Sequence, residues 1–220
     1  MKTVNKIIYK NKEYVSLYLG STKMYEKKQE VLYDGLTFEA LEPSTILYKP
    51  SSVSTAQYSY DTVNWETADN VTLNLNTGDK VYFKGNITGN QSLSNRARFT
   101  MTGKISASGS IMSLQAGNPQ DKSLNYDYEF VDMFYNCKSL VTAPELSVTE
   151  LKFKCFHYTF DGCSNLKYIK AMFTTTPSST YTQNWVSGVA STGTFVKNKD
   201  ATWDVTGNNG IPTGWTVETV

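Results

Sequence analysis

Between residues 133 and 173 one unit is written twice, and it limits the fold more than anything else in the chain. Met133-Phe134-Tyr135-Asn136-Cys137-Lys138-Ser139-Leu140 is answered by Thr159-Phe160-Asp161-Gly162-Cys163-Ser164-Asn165-Leu166. The pairs Phe134 and Phe160, Cys137 and Cys163, and Leu140 and Leu166 are each 26 residues apart. Ser110-Ile111-Met112-Ser113-Leu114 reads as a degenerate earlier copy, with Leu114 26 residues before Leu140 and Ile111 where the others have Cys. A period in the twenties with apolar residues at fixed places predicts a solenoid, whose strand-plus-turn units bury their apolar sides only against one another. Such a body presents surface, and nothing in the pattern predicts a catalytic pocket.

The rest of the chain reads as strands. Residues 1–30 alternate in short apolar bursts and carry seven Lys against three Glu, so +4. They predict two or three short strands joined by turns at Asn11-Lys12 and Gly20-Ser21. In residues 31–117, Val71, Leu73 and Leu75 alternate, Asn76-Thr77-Gly78-Asp79 turns, and Val81 and Phe83 alternate again, a hairpin by pattern. Phe99, Met101 and Ile105 keep the period. Short strands with turns every 8–12 residues indicate an immunoglobulin-like sandwich, with Trp65 expected as its core aromatic and Gly85 to Arg98 as an exposed polar loop. In residues 118–220, Val131 to Tyr135 and Lys154 to Phe160 are expected as short core-facing helices. Strands at Gly193-Thr194-Phe195-Val196 and Trp215-Thr216-Val217, with a turn from Gly207 to Pro212, are expected to close the end.

"MFYNCKSLVTAPEL", Met133 to Leu146, resembles the repeat of the BspA-like leucine-rich proteins of gut Bacteroidetes and their phages. Residues 166 to 217 resemble that family's terminal unit and cap. "LTFEALEPST", "TGDKVYFKG" and "GSIMSLQAG" resemble the β-domain that precedes the repeats in the same proteins. The likeness spans roughly residues 36 to 217. It implies a β-rich α+β chain with an N-terminal β-hairpin anchor module (1–30), an immunoglobulin-like β-sandwich (31–117) and a short leucine-rich-repeat solenoid with a C-terminal cap (118–220). This chain departs from the family in having about two clear repeats, and Glu129 stands where Cys155 has its counterpart.

Composition narrows the function classes. Hydrophobic residues at 40% with 13% aromatics supply a core, and a net charge of +1 provides no field for nucleic acid or acidic membranes. No run approaches the roughly 20 apolar residues that cross a bilayer. Ser16, Gly20 and Ser21 interrupt Tyr14 to Thr22, the one candidate stretch for an export signal, and no cysteine precedes Cys137 for lipid attachment. Cys137, Cys155, Cys163 and His157 lack the close spacing of a zinc site, so buried thiols are expected and neither metal nor cofactor is. His157 is the sole histidine and sits between Phe156 and Tyr158, a setting for a packed ring. No carboxylate pair, phosphate loop or dinucleotide motif is present.

These readings and the resemblance lead to a non-enzymatic phage virion protein: a head fibre, capsid decoration or tail-associated adhesin, assembled in the host cytoplasm and released by lysis. Its expected partners are other virion proteins, host surface glycan or protein, and copies of itself, with no nucleic acid and no membrane insertion. The alternative is a bacterial cell-surface adhesin or glycan-binding protein. Ile7, Tyr9, Val15, Leu17 and Leu19 are the expected particle-anchoring residues, unless the segment instead extends the next sheet. Tyr181, Gln183, Asn184 and Trp185 are the expected ligand contacts, unless Trp185 packs under the cap.

Overall fold

The structure, a computed structural model, describes residues 33–220 in full and, ahead of them, the backbone of three strands: β1 (Lys2–Tyr9), β2 (Lys12–Leu19) and β3 (Thr22–Glu30). These form their own antiparallel sheet in the order β1-β2-β3. Asn11, Gly20 and Ser21 of the expected turns lie outside the described residues, and Lys12 opens β2. The register pairs Ile7 with Tyr14 and Tyr9 with Lys12, but Val15 with Lys6 and Leu17 with Val4. Positions directly opposite share a face. The five expected anchoring positions therefore divide between the two faces of the ribbon, Ile7 and Tyr9 on one, Val15, Leu17 and Leu19 on the other.

From residue 33 onward the chain is β-rich, and its helix is confined to one turn, α1 (Ser113–Ala116). The strands are β4 (Thr37–Ala40), β5 (Ser44–Lys49), β6 (Ser54–Ser59), β7 (Glu66–Thr67), β8 (Thr72–Leu75), β9 (Lys80–Ile87), β10 (Arg98–Thr102) and β11 (Ile105–Ser108). They continue with β12 (Leu140–Thr142), β13 (Tyr168–Ala171), β14 (Thr194–Lys197) and β15 (Thr216–Thr219). One antiparallel sheet has the order β10-β5-β8. The other runs through nine strands as β15-β14-β13-β12-β11-β4-β9-β6-β7. β11 is its hinge: antiparallel to β4 on one side, parallel to β12 on the other. The large sheet thus crosses residue 117 without interruption, and one hydrophobic cluster extends from Leu36 to Trp215.

Alternation decides which side chains face that cluster, as the sequence implies. In β5, Ser44, Ile46 and Tyr48 are buried and their neighbours are half-buried; in β8, Leu73 and Leu75 are buried. The partners differ from expectation. β8 pairs with β5 and β9 with β4 and β6, so Asn76–Asp79 carries the chain from one sheet to the other and closes no hairpin. The turn is tied to β4 instead: Gly78 N–H donates to the Ala40 carbonyl at 2.7 Å and Ala40 N–H to that of Asp79 at 3.0 Å. Alternation fixes a strand's buried face and is silent on its neighbour.

Beyond β11 the chain coils. Thr142 lies opposite Tyr168 and Tyr168 opposite Thr194 in parallel register, the 26-residue step of the repeat. The layer before these coils is formed by β10 and β11, which pair with β5 and β4 in different sheets. Phe99 stacks on Phe134, Ile105 pairs with Leu140 and Ser110 bridges to Glu145, each 35 residues apart. Leu114, expected as the earlier counterpart of Leu140, lies in α1. Nine additional residues separate this layer from the first coil, enough to hide the true counterpart from a search at fixed period.

The side opposite the strands is a wall of turns, where short helices were expected. Tyr128, Asp132 and Asn136 have positive φ, as do Lys154, Tyr158 and Gly162 one coil later, and Asn184 and Gly188 after that. Left-handed residues every fourth position break any helix and make a ribbon of consecutive turns. Its N–H groups alternate in their use. Val131, Met133, Tyr135 and Cys137 donate three residues back within the coil. Phe130, Asp132, Phe134 and Asn136 donate to Cys155, His157, Thr159 and Asp161 of the next coil, all between 2.8 and 2.9 Å. A spacing of four apolar-rich residues imitates the helical period, which is why the pattern misled.

Gly162 tests this wall. Its φ is +77°, and a Cβ there would overlap the side-chain amide of Asn136 in the coil above. Gly78, at φ +86°, has open space around it. Gly78→Ala is expected to cost about 1 kcal/mol, the conformational penalty alone. Gly162→Ala is expected to cost about 2–4 kcal/mol, because a close-packed neighbour must also move. Chemical denaturation of the two variants measures the difference; equal losses would mean the coils are not held at this spacing.

Candidate functional site

The outer face of β6 and β9 carries a surface concavity. Inward positions Ala56, Tyr58 and Phe83 belong to the core, so Thr55 and Gln57 of β6 and Lys84 and Asn86 of β9 project outward by alternation. A cleft of about 350 Å³ lies where these side chains meet Gly117 at the end of α1. Gly85 forms its floor: a Cβ there would sit 2.7 Å from the Thr55 carbonyl and 2.8 Å from that of Leu114. On the other side of β6 a second cleft, about 260 Å³, is lined by Ser51, Ser52, Thr67 and Asp69. The two flank the strand and share Thr55 and Ala56 in their lining; the pair is termed the trough.

An aromatic group stands beside the trough. Trp65, expected in the core, is half-buried on this outer face. Tyr33 lies 5.6 Å from it, tilted, and meets Tyr82 edge-on at 5.7 Å. Lys84 Nζ sits 4.2 Å from the Trp65 ring centroid, in cation–π range. The Tyr33 hydroxyl donates to the Phe83 carbonyl at 2.8 Å, and burial pushes its pKa up to about 12. Trp65 is delivered by the loop after β6, which Asp61 organises. The Asp61 carboxylate accepts from the N–H groups of Asn64 at 2.8 Å and Val63 at 2.9 Å, and these bonds hold its carboxyl well below the usual range. Trp65 Nε1 donates to the Thr62 carbonyl at 3.2 Å, fixing the ring. Hydroxyls, amides and one ammonium beside a fixed aromatic group suit a polar, hydroxyl-rich ligand. Each cleft has at most one lining carboxylate, whereas glycoside hydrolysis uses two. No cluster of three or more His, Cys, Asp or Glu able to hold a metal occurs among the described residues.

The expected ligand contacts lie elsewhere and are largely enclosed. Trp185 is fully buried among Phe156, Phe160, Phe173 and Phe195, and its Nε1 donates to the Gly210 carbonyl at 2.9 Å. It offers no face to a ligand. Tyr181 is half-buried against the core, and Asn184, at φ 51°, gives its N–H to Asn209 Oδ1 at 2.8 Å. Gln183 is half-buried and its carbonyl accepts from Tyr158 N–H at 2.9 Å. These four residues hold the last coil together. In the expected exposed loop, Gly85 to Ile87 belong to β9 and Gln91 is buried, its amide binding the Glu129 carbonyl and Ala97 N–H. The side chains of the expected anchoring residues are not among those described.

The trough residues were within reach of the sequence. In "STAQYSY" and "KVYFKGN" the parity that buries Ala56, Tyr58 and Phe83 turns Thr55, Gln57, Lys84 and Asn86 outward. What sequence lacks is the pairing of β6 with β9, which puts the two rows side by side.

Cys137, Cys155 and Cys163 are all free and buried. Cys137 Sγ lies 3.3 Å from the Phe99 carbonyl and Cys163 Sγ 3.0 Å from that of Phe134, the same role one layer apart. Burial pushes Cys137 and Cys155 up to about 12 and Cys163 well above its ordinary value. His157 is buried with Nε2 2.9 Å from the Ser179 carbonyl, and desolvation lowers its pKa, so its neutral ring donates there.

No family model matches this chain, and no curated protein or solved structure matches it significantly.

Thiolate is the reactive form of cysteine, so thiols raised this far stay inert while the coils are closed. Alkylation at about pH 8 is expected to label none in the native protein and three after unfolding without reductant, read by intact mass. Labelling of the native protein, or fewer than three after unfolding, would contradict the buried-thiol arrangement. Cys137→Ser, which puts a hydroxyl in an apolar layer, is expected to cost on the order of 1–3 kcal/mol.

Proposed function

We propose that the protein is a non-enzymatic virion structural protein, a head fibre, capsid decoration or tail-associated adhesin of a Bacteroidetes phage, whose work is to present a host-facing surface. The body is read as an immunoglobulin-like sandwich joined to a short BspA-like leucine-rich-repeat solenoid with a cap. Two antiparallel layers meeting over Phe38, Phe83 and Phe99 support the first part, and parallel strands at a 26-residue step support the second. Residues 1–30 would attach the protein to the particle, and copies of the chain would associate there.

The observation that carries this reading is the nine-stranded sheet shared by both halves. A shared sheet and core make one rigid body rather than two jointed ones, the property a presenting scaffold needs. Its outer face bears the trough of Thr55, Gln57, Lys84 and Asn86, whose hydroxyl, amide and ammonium groups match the hydrogen-bonding demands of a surface saccharide. The separate hydrogen bonding of β1-β2-β3 supports an attachment role for that segment, since an edge strand can pair with a partner's sheet.

Mass-spectrometric inventory of purified particles is expected to find the protein at a fixed copy number. Deleting residues 2–30 is expected to leave a folded body that no longer co-purifies with them. A body that unfolds on deletion would make the segment part of the core. Detection at a bacterial surface with none in particles would favour the cell-surface adhesin. On a saccharide panel, Gln57→Ala and Lys84→Ala are expected to weaken capture about tenfold or more at unchanged melting temperature. Equal capture by wild type and both variants would remove the trough from the proposal.

A further inference from the structure

Glu129 occupies the repeat position held one coil later by Cys155, yet it is a carboxylic acid with no exposed surface. Its Oε2 accepts the N–H groups of Asn125 and Tyr126, both at 2.9 Å. Its Oε1 is sealed from solvent with no hydrogen-bond partner. Four parts of the fold converge on it. The 88–97 loop contributes Gln91, whose amide binds the Glu129 carbonyl, and α1 contributes Gln115, which accepts Asn125 N–H at 3.0 Å. The segment from 118 to 126 wraps over it, carrying Asp121 and Lys122. The next coil brings Cys155 and Lys152, whose ammonium donates to the Asn125 carbonyl at 3.0 Å. Arg96, on the 88–97 loop, is engaged with Asp132 instead.

We infer that Glu129 is a proton-operated latch: while neutral it keeps the Lys122–Tyr126 segment closed over the first coil, and losing its proton opens that segment to water. A neutral carboxyl with one unmet hydrogen bond is far cheaper to bury than a carboxylate facing no countercharge at contact distance. Burial accordingly pushes the group up to about 7, against the N–H groups of Tyr126 and Asn125 and the charge of Lys152, with Asp121 adding to the rise. Cys155 stays a thiol throughout this range. The other ties of the Lys122–Tyr126 segment are the Thr149 N–H and hydroxyl on the Lys122 carbonyl, Gln115 and Lys152 on the Asn125 backbone, and the packing of Leu124 and Tyr126 on the core.

The direction follows from linkage. The closed state holds its proton up to about 7, whereas an opened, hydrated Glu129 loses it near the ordinary 4.5. Closure is therefore fully supported below 4.5, weakens as pH rises toward 7, and changes no further above it. The opening constant should grow about tenfold per pH unit inside that window.

The test begins with the wild-type protein. Carbon-13 NMR of the Glu129 carboxyl is expected to titrate with a midpoint near 7; a midpoint near the ordinary carboxylate value overturns the inference. Hydrogen exchange at Asn125 and Tyr126, corrected for intrinsic rates, is expected to lose up to about a hundredfold in protection between about pH 5 and 8. Protection that stays constant over that range overturns the latch even if the titration midpoint is high. Glu129→Gln keeps an acceptor for both N–H groups and is expected to make their protection independent of pH. Should that variant fail to fold, Glu129→Cys, which restores the residue of the next coil, is expected to do the same. A pH dependence that persists in whichever of the two folds assigns the opening to another group.

Discussion

The Phe99 ring meets Phe38, Phe83 and Tyr48 at centroid distances of 5.1 Å, and lies flat against Phe134 at 5.5 Å, with 7° between the planes. Those contacts come from both antiparallel layers and from the first coil, so one residue on β10 joins all three. The backbone reinforces the ring: Phe99 N–H donates to the Met133 carbonyl at 2.8 Å, and its own carbonyl faces the Cys137 thiol. Phe134 then passes the same stacking to Phe160, again at 5.5 Å and 7°. Offset aromatic pairs contribute about 0.5–1.5 kcal/mol each beyond the area they bury. The larger effect is geometric, because a column of parallel rings sets the spacing at which successive coils must lie.

Much of this was legible beforehand. The 26-residue recurrence of Phe, Cys and Leu marks the coils, and period-two alternation marks which residues of β5, β8 and β9 face inward. Three features were hidden for physical reasons. The first layer of the stack is built from β10 and β11, strands of two different sheets, and the nine residues between it and the first coil shift its register away from the repeat. The turn wall repeats every four residues, close enough to a helical period to be mistaken for it. Trp65 is an aromatic residue in a strand-rich stretch, and its place outside the core depends on the Asp61 loop carrying it back over Lys84. Among the candidate contacts, Trp185 looked like either a platform or a core residue; the closing turn at Gly210 made it the latter.

The polar interior and the polar exterior have different characters. On the outer face, Gln57 and Asn86 are held by strands and exposed, and Lys84 is half-buried against Trp65, so their donors and acceptors are already positioned, which favours recognition. Inside, Gln91, Gln115 and Glu129 use their polar atoms on the backbone of three neighbouring segments. Gln115 and Glu129 lie in the stretch that holds the nine extra residues, and Glu129 takes the place that the next coil gives to the small side chain of Cys155. An insertion into a stacked structure leaves backbone groups without the partners that periodicity would have provided, and side-chain amides and a carboxyl supply them here.

The backbone N–H groups of the turn wall that reach between coils all point the same way. Phe134 N–H reaches forward to Thr159, Phe160 N–H reaches forward to Trp185, and Asn184 N–H, with no further coil ahead of it, is met by the side chain of Asn209. Each layer therefore leaves its donors open until the stretch that follows it in the chain arrives. A ribosome releases the segments in that same order, with β10 and β11 first and Asn209 last. During synthesis only the newest layer has unmet donors at any moment, and its complement is the next length of polypeptide to emerge.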